Sequence, residues 1–293
     1  MTAPDRSLLT IGIVSYNSHQ VLSACMQELL GKPQYRTLII DNASTDQSAA
    51  RLQAMFPDIE VIPLPHNIGY GRAANVGIAE AKTKYFLLLN PDLQITTADI
   101  DRLFDRALSL GEDVALLAPA VERRDYLQQG LLDRDWVIGA AMLFNLTALS
   151  PLGLFDENIF LFSEETDLCI RIRRAGLRIA LDSDLFVNHL YRQSTPSSPE
   201  IEELKNWHIA WSNCYVLSKH GLATGKKHPY RLLVIYLVKM LTSTSRFKRV
   251  RYRTRLSGTW AFISGQSAFL PDGTAQHAPR RQAGSASVAA GDQ

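Results

Sequence analysis

The stretch Lys84-Tyr85-Phe86-Leu87-Leu88-Leu89-Asn90-Pro91-Asp92 decides how this chain is read. Tyr85 to Leu89 run without a polar interruption and stop at Asn-Pro-Asp. A short apolar run closed by a breaker is the pattern of a strand buried on both faces of a sheet. Pro91 has no N–H for a ladder and turns Asn90 away from helical angles, so the strand ends there. Asp92 is therefore delivered at the carboxyl end of a buried strand, where ligands sit in open α/β sheets.

Working back from that strand, the same grammar repeats. Leu8–Val14 is strand-like and ends at the polar cluster Ser15-Tyr16-Asn17-Ser18, which can cap a helix. Residues 19–30 then carry apolar side chains at helical spacing, through Val21, Leu22, Cys25, Met26, Leu29 and Leu30. Thr37–Ile40 is a second strand, followed by Asp41-Asn42-Ala43-Ser44-Thr45-Asp46 and a helix to about residue 55. Glu60–Pro63 is a third, followed by a glycine-rich loop over 67–77 and a helix to about Ala81. This alternation predicts an α/β fold, a doubly wound and mostly parallel sheet with helices on both faces. Forward of Asp92, a helix over 99–110, a strand over 114–118 and a charged loop or hairpin over 122–135 are expected. Trp136–Phe144 reads as a strand with close backbone approach at Gly139. A helix opens at Ser163, expected as its N-cap, and stops at Gly176. Strands follow over 178–181 and 185–189, then a breaker-rich link over 193–199 and helices beyond it. The sequence after about residue 271 is expected to form a disordered Gly/Ala/Ser/Gln tail.

With 293 residues, 46% of them hydrophobic, the chain has the material for a real core. Its three cysteines are widely spaced with no Cys-x-x-Cys, which excludes a disulfide framework and points to a reducing cytosol. The N-terminus lacks a secretion signal pattern. The net charge of +2 hides an asymmetry. Residues 1–203 carry 17 Lys and Arg against 27 Asp and Glu, whereas 204–293 carry 14 against 2.

Three groups of residues carry chemistry. Asp92, with the side-chain oxygen of Asn90 nearby, suits Mg²⁺ or Mn²⁺, which take hard oxygen ligands and leave positions open for phosphates. Read alone, it serves equally as a turn residue that caps the next helix. Gly69-Tyr-Gly-Arg-Ala-Ala74 matches Gly-x-Gly-x-x-Ala, the dinucleotide fingerprint. In that reading Asp92 binds a ribose and the chain is an NAD(P)-dependent oxidoreductase. Against it, the loop follows the third strand rather than the first. A further option is close approach to a sugar nucleotide with Arg72 and Asn75 as donors. Glu164, Glu165 and Asp167 place three acids in four residues, so mutual repulsion raises at least one pKa and suits a general base. Asp167 and Arg171, four apart, are also spaced for a structural ion pair. His189 by itself is an ordinary strand-end histidine.

Taken in order, several motifs resemble glycosyltransferase family 2 with a GT-A fold, over about residues 8 to 221. They are Ile13–Asn17, Ile40–Asp46, Asn67–Gly77, Leu89–Asp92, Gly153–Asp156, Glu164–Gly176 and Val187–His189. Asn-Pro-Asp and Ala210–Gly221 resemble the bacterial rhamnosyltransferase-like branch. The resemblance implies an inverting transferase using a nucleotide-sugar donor, with dTDP-rhamnose the expected one, in surface polysaccharide synthesis. It implies that Ser15, Tyr16, Asn17, Asp41, Asn42, Arg72, Asn75 and Asn90 border the nucleotide sugar. Asp92 and His189 would hold Mg²⁺ or Mn²⁺. Glu165, or its neighbour Glu164, would be the catalytic base, and Trp136, Gly139 and Asp167 would line the acceptor side. Two departures are visible: Asn90 replaces the first acid of Asp-x-Asp, and Glu165 stands where the family usually has Asp. In this scheme 1–222 form the GT-A domain, with a nucleotide-sugar half over 8–118 and an acceptor half over 119–222.

From Lys226 to Arg255 there are ten Lys and Arg and no acid. Pro229–Leu241 is apolar but too short to span a bilayer. Residues 223–270 therefore read as a basic helical extension that associates peripherally with an anionic membrane surface, on the cytoplasmic face of the cell membrane. A lipid-linked saccharide acceptor fits that location. No nucleic-acid recognition module accompanies the charge, so nucleic acid is not an expected partner. A non-catalytic membrane-associated scaffold is the remaining alternative.

Overall fold

The alternation builds one eight-stranded sheet. A computed structural model describes residues 5–190 and 194–277. In chain order the first half runs β1 (Leu9–Ser15), α1 (His19–Gly31), β2 (Arg36–Asp41), α2 (Ser48–Met55), β3 (Glu60–Pro63), α3 (Tyr70–Ala81) and β4 (Tyr85–Leu89). There follow β5 (Leu93–Gln94), α4 (Thr97–Leu108), β6 (Val114–Ala120), α5 (Arg123–Tyr126), β7 (Leu131–Asp133), β8 (Ala141–Asn145) and α6 (Leu146–Leu149). The remainder is α7 (Glu164–Arg174), β9 (Arg178–Phe186), β10 (Asn188–His189), α8 (Pro199–Lys219), α9 (Pro229–Thr242) and α10 (Arg246–Ile263).

The strand order is β3-β2-β1-β4-β8-β6-β9-β7. The pairs β3/β2, β2/β1, β1/β4 and β6/β9 are parallel, whereas β8 runs antiparallel to both β4 and β6, and β7 antiparallel to β9. Strand β4 lies inside the sheet, and every one of its residues is buried. Its odd and even side chains enter different cores. Tyr85, Leu87 and Leu89 join the cluster with Leu22, Met26, Ile100 and Phe104. Phe86 and Leu88 join the cluster with Ala73, Ala74, Ile78 and Leu168. That two-sided burial is why the strand reads as an unbroken apolar run.

Three expectations are corrected. Of the stretch from Trp136 to Phe144 only Ala141 onward is strand, the start of β8, whereas Gly139 before it packs against Glu165 of α7. Ser163 precedes α7 but makes no side-chain capping bond, since its φ of 67° places it in the left-handed region. Its backbone carbonyl accepts from Asp167 N–H at 2.9 Å instead. Residues 271–277 are not a disordered tail: Phe269 and Ala275 pair in an antiparallel bridge, and Ala275 is buried beside Phe160, Trp207 and Trp211. The rest of that segment, 278–293, lies outside the described residues.

Helix α8 starts well for a stated reason. The Ser198 hydroxyl accepts from Ile201 N–H at 3.2 Å, and Pro199 occupies the first turn, where no N–H is missed. Trp207 and Trp211 face the third core, which α10 completes. Gly258 of α10 lies directly against the Trp207 carbonyl, so the helices meet at backbone distance. The basic extension is thus docked on α8 through α10.

Candidate active site

Strands β1, β2 and β4 all end at one edge of the sheet, and their loops interlock there. Asn17, with φ 53°, accepts from Thr45 N–H at 2.7 Å through its side-chain oxygen, and its own N–H donates to Ser44 Oγ at 2.8 Å. Ser15 Oγ lies 2.9 Å from Ser18 Oγ, and the Tyr16 carbonyl accepts from Thr195 Oγ1 at 3.3 Å. Asp41 accepts from Ser44 N–H at 3.0 Å and from Ser44 Oγ at 2.5 Å. Asn42 is buried and works as a clamp. It donates to Asn67 Oδ1 and to the Gly69 carbonyl, and it accepts from Ile68 N–H at 2.9 Å.

Asp92 is fully buried just beyond Pro91. The two-stranded ribbon of β5 and β10 sets His189 opposite Leu93, so His189 Nε2 lies 3.2 Å from Asp92 Oδ1. Residues 97 apart in sequence thereby share one spot at the strand end. The Asn90 side-chain oxygen accepts from the Tyr70 hydroxyl at 3.0 Å. Tyr70 was not singled out from the sequence, although it sits inside the glycine-rich loop. Burial, and then the carboxylates of Glu164, Glu165 and Asp92, hold its hydroxyl well above the usual tyrosine range. It therefore remains a neutral donor amid negative charge.

Glu164 and Glu165 open α7 beneath that tyrosine, after Phe162 and Ser163, whose φ values of 68° and 67° are both left-handed. Two such residues in succession are strained for side chains other than glycine. Glu164 is 5% exposed, and its Oε2 has no hydrogen-bond partner among the described residues. Burial, and then Glu165, raise its pKa well above the ordinary glutamate value. Glu165 is half-buried, and burial raises its pKa too, against the opposing effect of hydrogen bonds that include one from Trp136. A Cβ on Gly139 would stand 3.4 Å from Glu165 Cβ and Cγ. Trp136 and Gly139 thus do meet the proposed base, as neighbours of its side chain.

The raised pKa of Glu164 has a consequence for stability. Its neutral form is the favoured one in the fold, so the stabilisation is complete below the unfolded value near 4.5 and is lost as pH rises through the folded value. Glu164→Gln, always neutral, is expected to raise Tm at pH 8 by a few degrees. That corresponds to about 1–3 kcal/mol for relieving a buried unpaired charge. The gain should shrink towards pH 4.5. An equal gain at both pH values in thermal melts would show that charge is not the cause.

Three of the residues expected to contact donor or acceptor make bonds within the protein. Asp167 is fully buried. It binds Arg171 Nε at 2.8 Å, Lys219 Nζ at 2.6 Å and His220 Nε2 at 2.8 Å, locking α7 to α8. Asp167→Ala leaves those donors around an empty buried site and should cost about 3–5 kcal/mol. A denaturant midpoint unchanged from wild type would refute this. Arg72 donates to the Glu157 carbonyl at 2.6 Å and lies over the Phe269 ring, 3.7 Å from its centroid. Asn75 donates to the Phe155 carbonyl at 2.9 Å and accepts from Phe155 N–H at 3.1 Å. Both residues fasten α3 to the 153–160 segment.

The glycine fingerprint is likewise accounted for by the protein itself. Gly69 has φ 87° and lies against the Phe160 carbonyl, and a Cβ on Gly71 would meet Phe155 Cβ at 3.0 Å and Glu164 Cβ at 3.6 Å. The space a pyrophosphate needs in the dinucleotide reading is filled by the chain's own 155–164 segment. This removes the residue basis of the oxidoreductase alternative.

Among the described residues no group of three or more His, Cys, Asp and Glu is arranged to hold a metal ion. Mg²⁺ and Mn²⁺ bound together with a diphosphate need only one or two protein donors, since phosphate oxygens and water complete the shell. A buried carboxylate with an imidazole from another segment at 3.2 Å fits that requirement.

This sheet, with acids at its β4 edge and at the start of α7, has the GT-A fold of nucleotide-sugar enzymes. A solved structure of GalNAc-T7 with UDP, GalNAc and Mn²⁺ superposes with a TM-score of 0.57 at 13% identity, covering 87% of this chain and 56% of that one. Glucosyl-3-phosphoglycerate synthase from Mycobacterium tuberculosis, solved with Mn²⁺ and UDP, gives 0.54 at 16% identity, covering 73% of this chain and 80% of that one. The sequence profile of glycosyl transferase family 2 matches residues 10–169, and the chain belongs to that family. It is 25% identical to a low-salt glycan biosynthesis hexosyltransferase of Haloferax volcanii, over 58% of this chain and 63% of that protein. It is also 25% identical to an N-acetylglucosaminyl-diphospho-decaprenol L-rhamnosyltransferase of M. tuberculosis, over 55% of this chain and 68% of the relative.

Proposed function

We propose that the chain is an inverting glycosyltransferase that moves a sugar from a nucleotide-diphosphate donor to a hydroxyl of a lipid-linked saccharide. The donor we assign is dTDP-rhamnose, and the setting is surface polysaccharide synthesis at the cytoplasmic face of the membrane. One observation carries the reading. The Asp92–His189 pair and the Glu164–Glu165 pair converge on Tyr70 at the carboxyl edge of β4. The rhamnosyl and lipid-diphosphate terms are supported by the name of the M. tuberculosis relative.

In this reading Ser15, Tyr16, Asn17 and Asp41 border the nucleotide, with Asn42 holding the loop they face. Asp92 and His189 would hold Mg²⁺ or Mn²⁺, which supplies positive charge to the leaving diphosphate. Glu165 takes the proton of the acceptor hydroxyl as that oxygen bonds to the anomeric carbon and the carbon–diphosphate bond breaks. Attack and departure lie on opposite faces, so the anomeric configuration inverts. Buried Glu164 lies behind Glu165, and the two repel when both are ionised, which strengthens the base. Tyr70 holds Asn90 in place across the site.

A panel of nucleotide sugars with Mn²⁺ tests the assignment through thermal stabilisation and release of nucleoside diphosphate. The largest response is expected from dTDP-rhamnose. A response to another nucleotide sugar would correct the donor, and stabilisation by NAD(P) with none by any nucleotide sugar would overturn the reading.

A further inference from the structure

Helix α9 is apolar nearly all round, yet Pro229 is its one buried residue. Such a helix ordinarily sits inside a protein. Its inner side, with Leu232, Leu233, Tyr236 and Met240, is half-covered, and Tyr236 stacks on Tyr252 of α10. The outer side carries Tyr230, Val234, Leu237, Val238 and Leu241, which are 61%, 60%, 41%, 51% and 70% exposed. These positions step by four, three, one and three, so they form one continuous stripe along the helix. Exposed Phe247 at the start of α10 extends the apolar surface. No helix among the described residues is long and apolar enough to cross a membrane.

Charge identifies what covers the stripe. Lys226, Lys227, Arg231, Lys239, Arg246, Lys248 and Arg249 lie on or beside α9, all exposed, with no acid between Lys226 and Arg255. A second copy packed stripe to stripe would bring two such cation sets together with nothing to neutralise them. An anionic surface neutralises both ends of the helix while it receives the apolar side chains.

We propose that the outer face of α9, from Tyr230 to Leu241, is the face by which this protein lies on an anionic lipid bilayer. The stripe inserts at the acyl boundary, and the cations of α10 and of 226–231 meet the headgroups. This extends the membrane setting of the proposed function to a particular face, but it needs no turnover to be tested. Because α10 is docked on α8, the face is tied to the catalytic sheet by packed helices.

The full chain should co-sediment with phosphatidylglycerol-containing vesicles and much less with pure phosphatidylcholine ones. Val234→Glu combined with Leu241→Glu, both exposed, should weaken binding at least tenfold with little change in Tm. Neutralising Arg246, Lys248 and Arg249 together should weaken it by about a hundredfold, at roughly fivefold per cation. Hydrolysis of nucleotide sugar in solution should survive both changes. Equal binding to neutral and anionic vesicles, or none lost in the Val234/Leu241 variant, would overturn the proposal. So would a dimer in sedimentation equilibrium that the same variant dissociates. Failure of the nucleotide-sugar panel with intact vesicle binding would instead overturn the enzymatic reading alone.

Discussion

Glu165→Gln is expected to lower the transfer rate by about 10²–10⁴-fold, the usual contribution of a positioned general base. Gln has nearly the same shape, so contacts with Gly139 and Trp136 remain and Tm should change little. The loss should fall on kcat rather than on donor KM, since the nucleotide end of the site is untouched. The pH profile adds an independent check. Burial raises the Glu165 pKa, and a base works only when deprotonated. The acid limb of kcat/KM therefore lies above the ordinary glutamate value near 4.5 and moves when Glu164 is neutralised. Full activity in the Gln variant would move the role to Glu164, and full activity in both single variants would remove it from α7 altogether.

Asp92→Asn should be as damaging by a different route. The substitution keeps the shape of a fully buried side chain beside His189 but removes the single charge that the β4 end offers a cation. Losing charge stabilisation of the leaving diphosphate at one such site is worth roughly 3 kcal/mol, more than a hundredfold in rate. Mn²⁺ together with a nucleoside diphosphate should raise the Tm of the unaltered protein by mass action. The variant should lose that response. A Mn²⁺-dependent shift that persists in Asp92→Asn would mean that the Asp92–His189 contact is structural only.

Particular residues show how far the sequence could be read. The Phe86–Asp92 stretch gave its strand, its end and its two-faced burial, because an unbroken apolar run and a proline are both local signals. Asp92, Glu164 and Glu165 were legible as candidates, since a carboxylate emerging directly from an apolar run is conspicuous. His189 was not distinguishable until its ribbon partner was known. The spacing of Asp167 and Arg171 already pointed to their ion pair, but only Lys219 and His220, more than fifty residues on, make Asp167 a tie between helices. Tyr70 was hidden between two glycines that drew attention as a phosphate motif.

The division follows from range. Periodicity, breakers and caps act over a few residues, so the sequence by itself determined the order of strands and helices, the polar loops at the strand ends and the charge split between the two parts. Hydrogen-bond partners and helix faces are chosen by segments 50 to 100 residues apart. Only the tertiary structure could decide that Arg72 and Asn75 fasten the 153–160 segment, that β8 runs antiparallel, and that α9 keeps its apolar face outside. The physical reason is that a side chain's chemistry is written in the sequence, but whether water, a ligand or another side chain satisfies it is settled by packing.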